Sequence, residues 1–273
     1  MWSAFKSFAL ISAVSLICVF LVWGYVRASY LNEPVHAPLG HHFLQAATPS
    51  GVDVVAYRIF GDSEIPQALT HYYRNERLIE LEALPEQIAL WIDLHPLRDG
   101  TLVAGLSSLD DNTDPSLTQV LQSLSKHRLI LNFRDDEPGM VEKISQSVTD
   151  SKASQRILIQ SPENGFLKDL RTAQPQWIFG TSQAQVTRLI MLSAIGLQAA
   201  APLKSDVFVM ETRISDLTLD RLTKSMIEEI HRRKMKIYAG PGNSASLQQA
   251  INRGVDGLLS NKPAELLATM QKN

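Results

Sequence analysis

From Val52 to Leu259 the chain alternates short β-type runs with helical patterns, and that alternation decides the fold class before any single residue does. The strand candidates are Val52–Tyr57, Ile88–Leu94, Leu129–Phe133, Arg156–Gln160, Gln176–Phe179, Val207–Met210, Met235–Ala239 and Gly257–Leu259. Helical patterns fill most of the gaps. The clearest is Thr218–Arg233, where Leu219, Leu222, Met226, Ile227 and Ile230 form one stripe. Strand followed by helix, repeated eight times in about 220 residues, is the arithmetic of an α/β protein built as a (β/α)8 TIM barrel. A doubly wound open sheet is the alternative. Closure predicts that Val52–Tyr57 and Gly257–Leu259 lie side by side. One departure from strict alternation stands out: Asp99-Gly100 separates Ile88–Leu94 from Thr101–Val103, and Asp-Gly between apolar runs signals a hairpin.

The N-terminus has a different character. Ser7 to Val26 contains no charged residue, with Lys6 before it and Arg27 after it. A helix needs roughly 20 apolar residues to cross a bilayer core, and Trp23 and Tyr25 sit near the end, where amphipathic rings favour the interface. A cleaved signal peptide is the competing reading, but its apolar region is usually about 7–15 residues. The expected organisation is an N-terminal membrane anchor over 1–29, a linker over 30–50 rich in Pro, His and Gly, and a barrel over 51–273. With the default N-in orientation, this single-pass protein places its barrel outside, on the periplasmic side of a bacterial membrane.

Composition narrows the partners. The 273 residues carry a net charge of -2 and are 45% hydrophobic, which is globular and gives no support for nucleic-acid binding. Cys18 is the sole cysteine, so an internal disulfide and a cysteine-based zinc site are both excluded.

Several segments resemble the glycerophosphodiester phosphodiesterases. Trp91-Ile92-Asp93-Leu94 followed by Arg98-Asp99-Gly100-Thr101-Leu102-Val103 is similar to that family's Glu-x-Asp-Val and Lys-Asp-Gly-x-x-Val. Gly254-Val255-Asp256-Gly257-Leu258-Leu259-Ser260-Asn261-Lys262-Pro263 resembles its closing Gly-Val-Asp-Gly-Ile-Ile-Thr-Asp-x-Pro. Leu131-Asn132-Phe133-Arg134, Ile159-Gln160-Ser161 and Val55-Ala56-Tyr57-Arg58 match weaker family segments in order.

The resemblance implies a catalytic set that this chain has largely replaced. The family's two acid/base histidines fall at Tyr57 and near Leu106, with Ser107 after it. Its metal-holding carboxylates fall at Trp91, Asp93 and Asn132, of which Asp93 alone is still acidic. Glu64, near the family's Pro-Glu-Asn, is the other carboxylate to consider. Hard cations want several oxygen ligands with charge, tyrosine's pKa of about 10 suits it poorly to replace imidazole, and leucine transfers no proton. The expectation is therefore a degenerate phosphodiesterase-like barrel with no cofactor, binding a phosphorylated small molecule, a phospholipid headgroup or a protein partner. The alternative is a working phosphoric diester hydrolase of lipid metabolism with Ca2+ or Mg2+ and substituted residues.

The remaining candidates are placed by chain position. Arg58 and Arg134 end strands on one rim, where guanidinium groups suit phosphate. Gly240 and Gly242 follow the seventh strand, where barrels often bind phosphate. Lys262 near the last helix start and Glu211 after the sixth strand are further mouth candidates. His95 is the substitute acid or base if the strand continues through it, but Pro96 favours a surface loop. His41-His42 is a possible metal pair in the linker; both histidines are otherwise ordinary linker residues.

Overall fold

The computed structural model describes residues 15, 17, 19–25, 40–45, 48, 51–57, 78, 81–105, 114–211, 221–240 and 244–271. Among the described residues there are nine strands: β1 (Asp53–Ala56), β2 (Ile88–Pro96), β3 (Leu102–Ala104), β4 (Leu129–Phe133), β5 (Ile157–Gln160), β6 (Ile178–Phe179), β7 (Val207–Glu211), β8 (Lys236–Gly240) and β9 (Gly257–Ser260). All except β3 run parallel, in the order β6-β5-β4-β2-β1-β9-β8-β7. The expected neighbours do meet, with Val54 beside Leu258 in the β1–β9 pair. The hairpin is also present, β3 pairing antiparallel with the end of β2.

The ring closes thinly. β6 is two residues long and meets β7 at one bridge, Gly180 to Val207. Side chains supply what the short ladder lacks. Thr181 Oγ1 donates to Val209 O at 2.9 Å and accepts from Val209 N at 2.8 Å. Asp206 Oδ2 accepts from Phe179 N at 2.8 Å. The result is a nearly closed barrel.

The helices α1 (Leu117–Ser123), α2 (Met140–Asp150), α3 (Asn164–Ala173), α4 (Gln183–Ala194), α5 (Lys224–Arg232), α6 (Ser244–Arg253) and α7 (Pro263–Met270) follow their strands in the expected order. Their starts are chemically marked. Ser116 and Gln119 form a reciprocal capping box on α1, and Thr223 caps α5 by accepting from Met226 N. That cap is why α5 begins at Lys224 and not at Thr218. Residues 212–220, including Leu219, lie outside the described residues.

Alternation along each strand sorts the side chains. Val55, Ala89, Trp91, Ile130, Leu158, Ile178, Val209, Tyr238 and Leu259 fill the lumen. Val54, Leu90, Leu131 and Ile159 face outward to the helices, as do Phe208, Ile237 and Leu258.

The floor of the barrel is an ion cluster. Asp53, the first residue of β1, is 2.9 Å from Arg128 NH2 and 2.9 Å from Lys236 Nζ, and accepts from Tyr238 Oη at 2.6 Å. Burial opposes ionisation of Asp53, but Arg128, Lys236 and the Tyr238 hydroxyl outweigh it and hold the carboxyl below its usual range. The same arginine donates to Phe43 O and Gln45 O, and Phe43 is fully buried in the lumen cluster. The stretch 41–45, read from sequence as linker, is thus a plug. His41 is part of it: its Nδ1 accepts from Phe43 N at 3.3 Å and its Nε2 reaches Ser154 O at 3.0 Å. Both ring nitrogens of His41 are engaged in these contacts.

At the N-terminus the described residues between 15 and 25 are helical and mostly exposed. Among the described residues no helix is long and apolar enough to cross a membrane.

Candidate functional site

The C-terminal ends of the parallel strands form one mouth, the end where barrels place their chemistry. Asp93 on β2, Asn132 on β4 and Gln160 on β5 are direct neighbours in the parallel register. All three side chains are buried. The row therefore presents one carboxylate and two amides, side by side across three strands.

Asp93 is held by donors. Asn132 Nδ2 donates to its Oδ1 at 2.5 Å, and Trp91 Nε1 donates to the same oxygen at 3.3 Å. Arg134 Nε stands 3.7 Å away, from a side chain that is 37% exposed. Each of these groups turns an N–H, not a lone pair, toward that oxygen. A carboxylate accepts only, so the amide of Asn132 must turn its nitrogen toward Asp93. That leaves Asn132 Oδ1 buried without a hydrogen-bond partner, as is Gln160 Oε1. Gln160 Nε2 donates to Thr181 O at 3.0 Å.

Trp91 is fully buried and fills the upper lumen, its ring edge-on to Tyr57 at 5.1 Å. Tyr57 Oη donates to Glu211 Oε2 at 2.6 Å, tying the end of β1 to the end of β7 across the mouth. Glu211, a mouth candidate by chain position, is placed there by the structure.

A divalent cation does not fit these residues. Such an ion needs several oxygens and a compensating charge, whereas among Trp91, Asp93 and Asn132 only Asp93 is acidic, and the other two direct hydrogen at it. Among the described residues no group of three or more His, Cys, Asp or Glu could hold a metal ion.

Other candidates are relocated. His95 is not on the surface: it is 5% exposed, and β2 continues through it to Pro96 because β3 pairs with that end. Its Nδ1 lies 3.2 Å from Gly105 O, and its Nε2 is buried without a partner. Gly240 has a steric explanation. Its φ is +141°, and a Cβ there would stand 2.5 Å from Leu259 O, so the close approach of β9 requires glycine. Lys262 is exposed and lies 3.4 Å from Glu265, an ordinary surface pair. Arg58, Glu64, Leu106, Ser107 and Gly242 lie outside the described residues.

Sequence reading missed the floor cluster and the role of Gln160. The signal for Gln160 is its place as the polar end of an apolar strand, Ile157-Leu158-Ile159-Gln160, repeating Leu129-Ile130-Leu131-Asn132. The floor had no such signal, since residues 53, 128, 236 and 238 are far apart in the chain.

The parallel strands and the helices between them define a nearly closed (β/α)8 barrel, and solved structures share that fold. No protein-family model matches the chain, and no curated protein does. A Silicibacter pomeroyi protein named as a glycerophosphoryl diester phosphodiesterase superposes with a TM-score of 0.61 at 14% identity, over 85% of this chain and 98% of that one. The glycerophosphodiester phosphodiesterase from Agrobacterium tumefaciens gives 0.57 at 12% identity, over 81% of this chain and 100% of its own. An Oleispira antarctica phosphodiesterase in complex with the product sn-glycerol-3-phosphate gives 0.51 at 14% identity, over 81% and 97%. The fold is that of the glycerophosphodiester phosphodiesterases.

Proposed function

We propose that this chain is a membrane-tethered barrel of the glycerophosphodiester phosphodiesterase fold that binds a phosphorylated, phospholipid-derived ligand and has lost metal-dependent hydrolysis. The observation that carries this reading is the state of Asp93. The one acidic side chain at the three aligned metal positions is engaged by Asn132 and Trp91 and faced by Arg134. Hydrolysis of a phosphodiester in such a barrel needs a charge-stabilising cation and a tuned acid/base pair, and these substitutions oppose both. Arg134, with Arg58 as its expected companion, supplies positive charge at the rim, where guanidinium–phosphate contacts are among the stronger polar ones. The tether rests on the uncharged run from Ser7 to Val26.

The test has two arms. Purified full-length protein is assayed on glycerophosphodiesters with and without Ca2+ or Mg2+, and glycerol phosphate is titrated by calorimetry in EDTA. No metal-dependent release is expected, together with binding that disappears in Arg58→Ala/Arg134→Ala. Release of glycerol 3-phosphate at an enzyme-like rate, abolished by Asp93→Ala, would overturn the reading. Equal or absent heat in wild type and variant would leave the arginines structural and the barrel a scaffold for a protein partner.

One contact favours the second reading, an active hydrolase with substituted residues. Tyr57, at an aligned histidine position, is hydrogen bonded to Glu211. In that case Glu211→Gln removes the activity, and so does His95→Ala if the imidazole serves as the acid or base.

A further inference from the structure

We infer that the outer face of α4 and the turn after it rest on the lipid bilayer, so that the barrel lies against the membrane on that side. This inference rests on the tethered reading above and adds an orientation to it.

The large apolar side chains exposed among the described residues fall in two places. Ile17, Val19, Phe20, Leu21, Val22 and Tyr25 belong to the N-terminal helical stretch, while Met191 and Ile195 belong to the end of α4, at 66% and 63% exposure. Met191 and Ile195 are four residues apart, which puts them on one helical face. The chain from Leu189 to Leu203 contains no charged residue. Outer barrel helices usually turn a polar face to solvent, as α5 does with its exposed Lys224–Glu228 pair.

The two apolar places lie close together. A Cβ on Gly196, in the turn closing α4, would stand 3.7 Å from Trp23 Cζ2. Gly196 has φ of +72°, so the turn takes a conformation that suits glycine. Trp23 is near the end of the uncharged N-terminal run, where a tryptophan belongs at interface depth. A ring at that depth beside Gly196 brings the end of α4 to the membrane surface. Exposed Arg188 and Lys204 bracket the uncharged stretch, and cations framing an apolar patch suit anionic headgroups.

The experiment uses the full chain with Cys18→Ala, reconstituted in phosphatidylcholine–phosphatidylglycerol vesicles. An environment-sensitive fluorophore is attached at Met191→Cys, at Ile195→Cys, or at the control Glu265→Cys on α7. The expected result is blue-shifted emission at 191 and 195, with most of it lost when spin-labelled lipids are included, and water-like, unquenched emission at 265. Vesicles that carry the chain but show no lipid quenching at 191 or 195 overturn the inference while leaving the tether standing. A blue shift without lipid quenching also overturns it, and assigns the face to a second copy or another protein. Release of the chain by an alkaline wash removes both the tether and the inference.

Discussion

Asn132 donates its side-chain amide to Asp93 from the neighbouring strand, the two residues being partners in the β2–β4 register. An amide beside a carboxylate makes a hydrogen-bonded pair, where a second carboxylate would repel the first.

Asn132→Asp reverses this. Two carboxylates on adjacent strands share a proton, and the pair's folded pKa rises above the unfolded value. A raised folded pKa contributes stability at low pH that is lost as pH rises through the carboxylate range and above. The variant is expected to lose about 1–3 kcal/mol at neutral pH and to recover on acidification. Thermal melts at pH 5 and pH 8 read this directly, and a variant with the wild-type pH profile would refute it.

Asp53→Asn tests the floor. It leaves Arg128 and Lys236 without their shared carboxylate, and breaking a buried pair from one side costs about 3–5 kcal/mol. The wild-type pKa is lowered, so its contribution is fully present above the unfolded Asp value and is lost as pH falls through the lower folded one. Chemical denaturation from pH 7 downward should show a flatter acid limb in Asp53→Asn. Parallel limbs would mean that this carboxylate does not titrate with folding.

Gly257→Ala tests the lumen's tightness. The added Cβ meets the Tyr238 ring, which is fully buried and held by its hydroxyl on Asp53. Overpacking of this kind costs about 1–3 kcal/mol, read as a fall in denaturation midpoint. A neutral effect would show that the ring moves freely.

Trp91→Ala asks how much the buried indole contributes as core. Removing a fully buried tryptophan is expected to cost about 3–5 kcal/mol. A loss below about 0.8 kcal/mol, the value of a single buried methylene group, would mean that the upper lumen does not depend on it.

The strands were legible because each is a short apolar run, and in a barrel both faces are buried. Leu129–Phe133 coincides with β4 to the residue. His95 was misplaced because Pro96 suggested an end. The proline is tolerated as the last residue of β2, where it pairs only across the hairpin to Leu102. Trp91, Asp93 and Asn132 could be named together only from the resemblance to the family's segments. What they do to one another could not, because Asn132 acts on Asp93 through a register that no local pattern encodes. The same holds for Tyr57 and Glu211, separated by most of the barrel.

The stitch between β6 and β7 has a dynamic consequence. Elsewhere in the ring a strand pair parts only when several backbone bonds break together. Here Phe179 N–H and Val209 N–H are held by the side chains of Asp206 and Thr181, and a side chain can release its partner by changing rotamer while both strands stay in place. Opening in proteins is local and follows the weakest cooperative unit. The ring therefore behaves as a split washer whose gap sits at the strands joined by α4. Deuterium should enter at Phe179 and Val209 well before it reaches the β1–β9 ladder, and water should first reach the lumen through that slit.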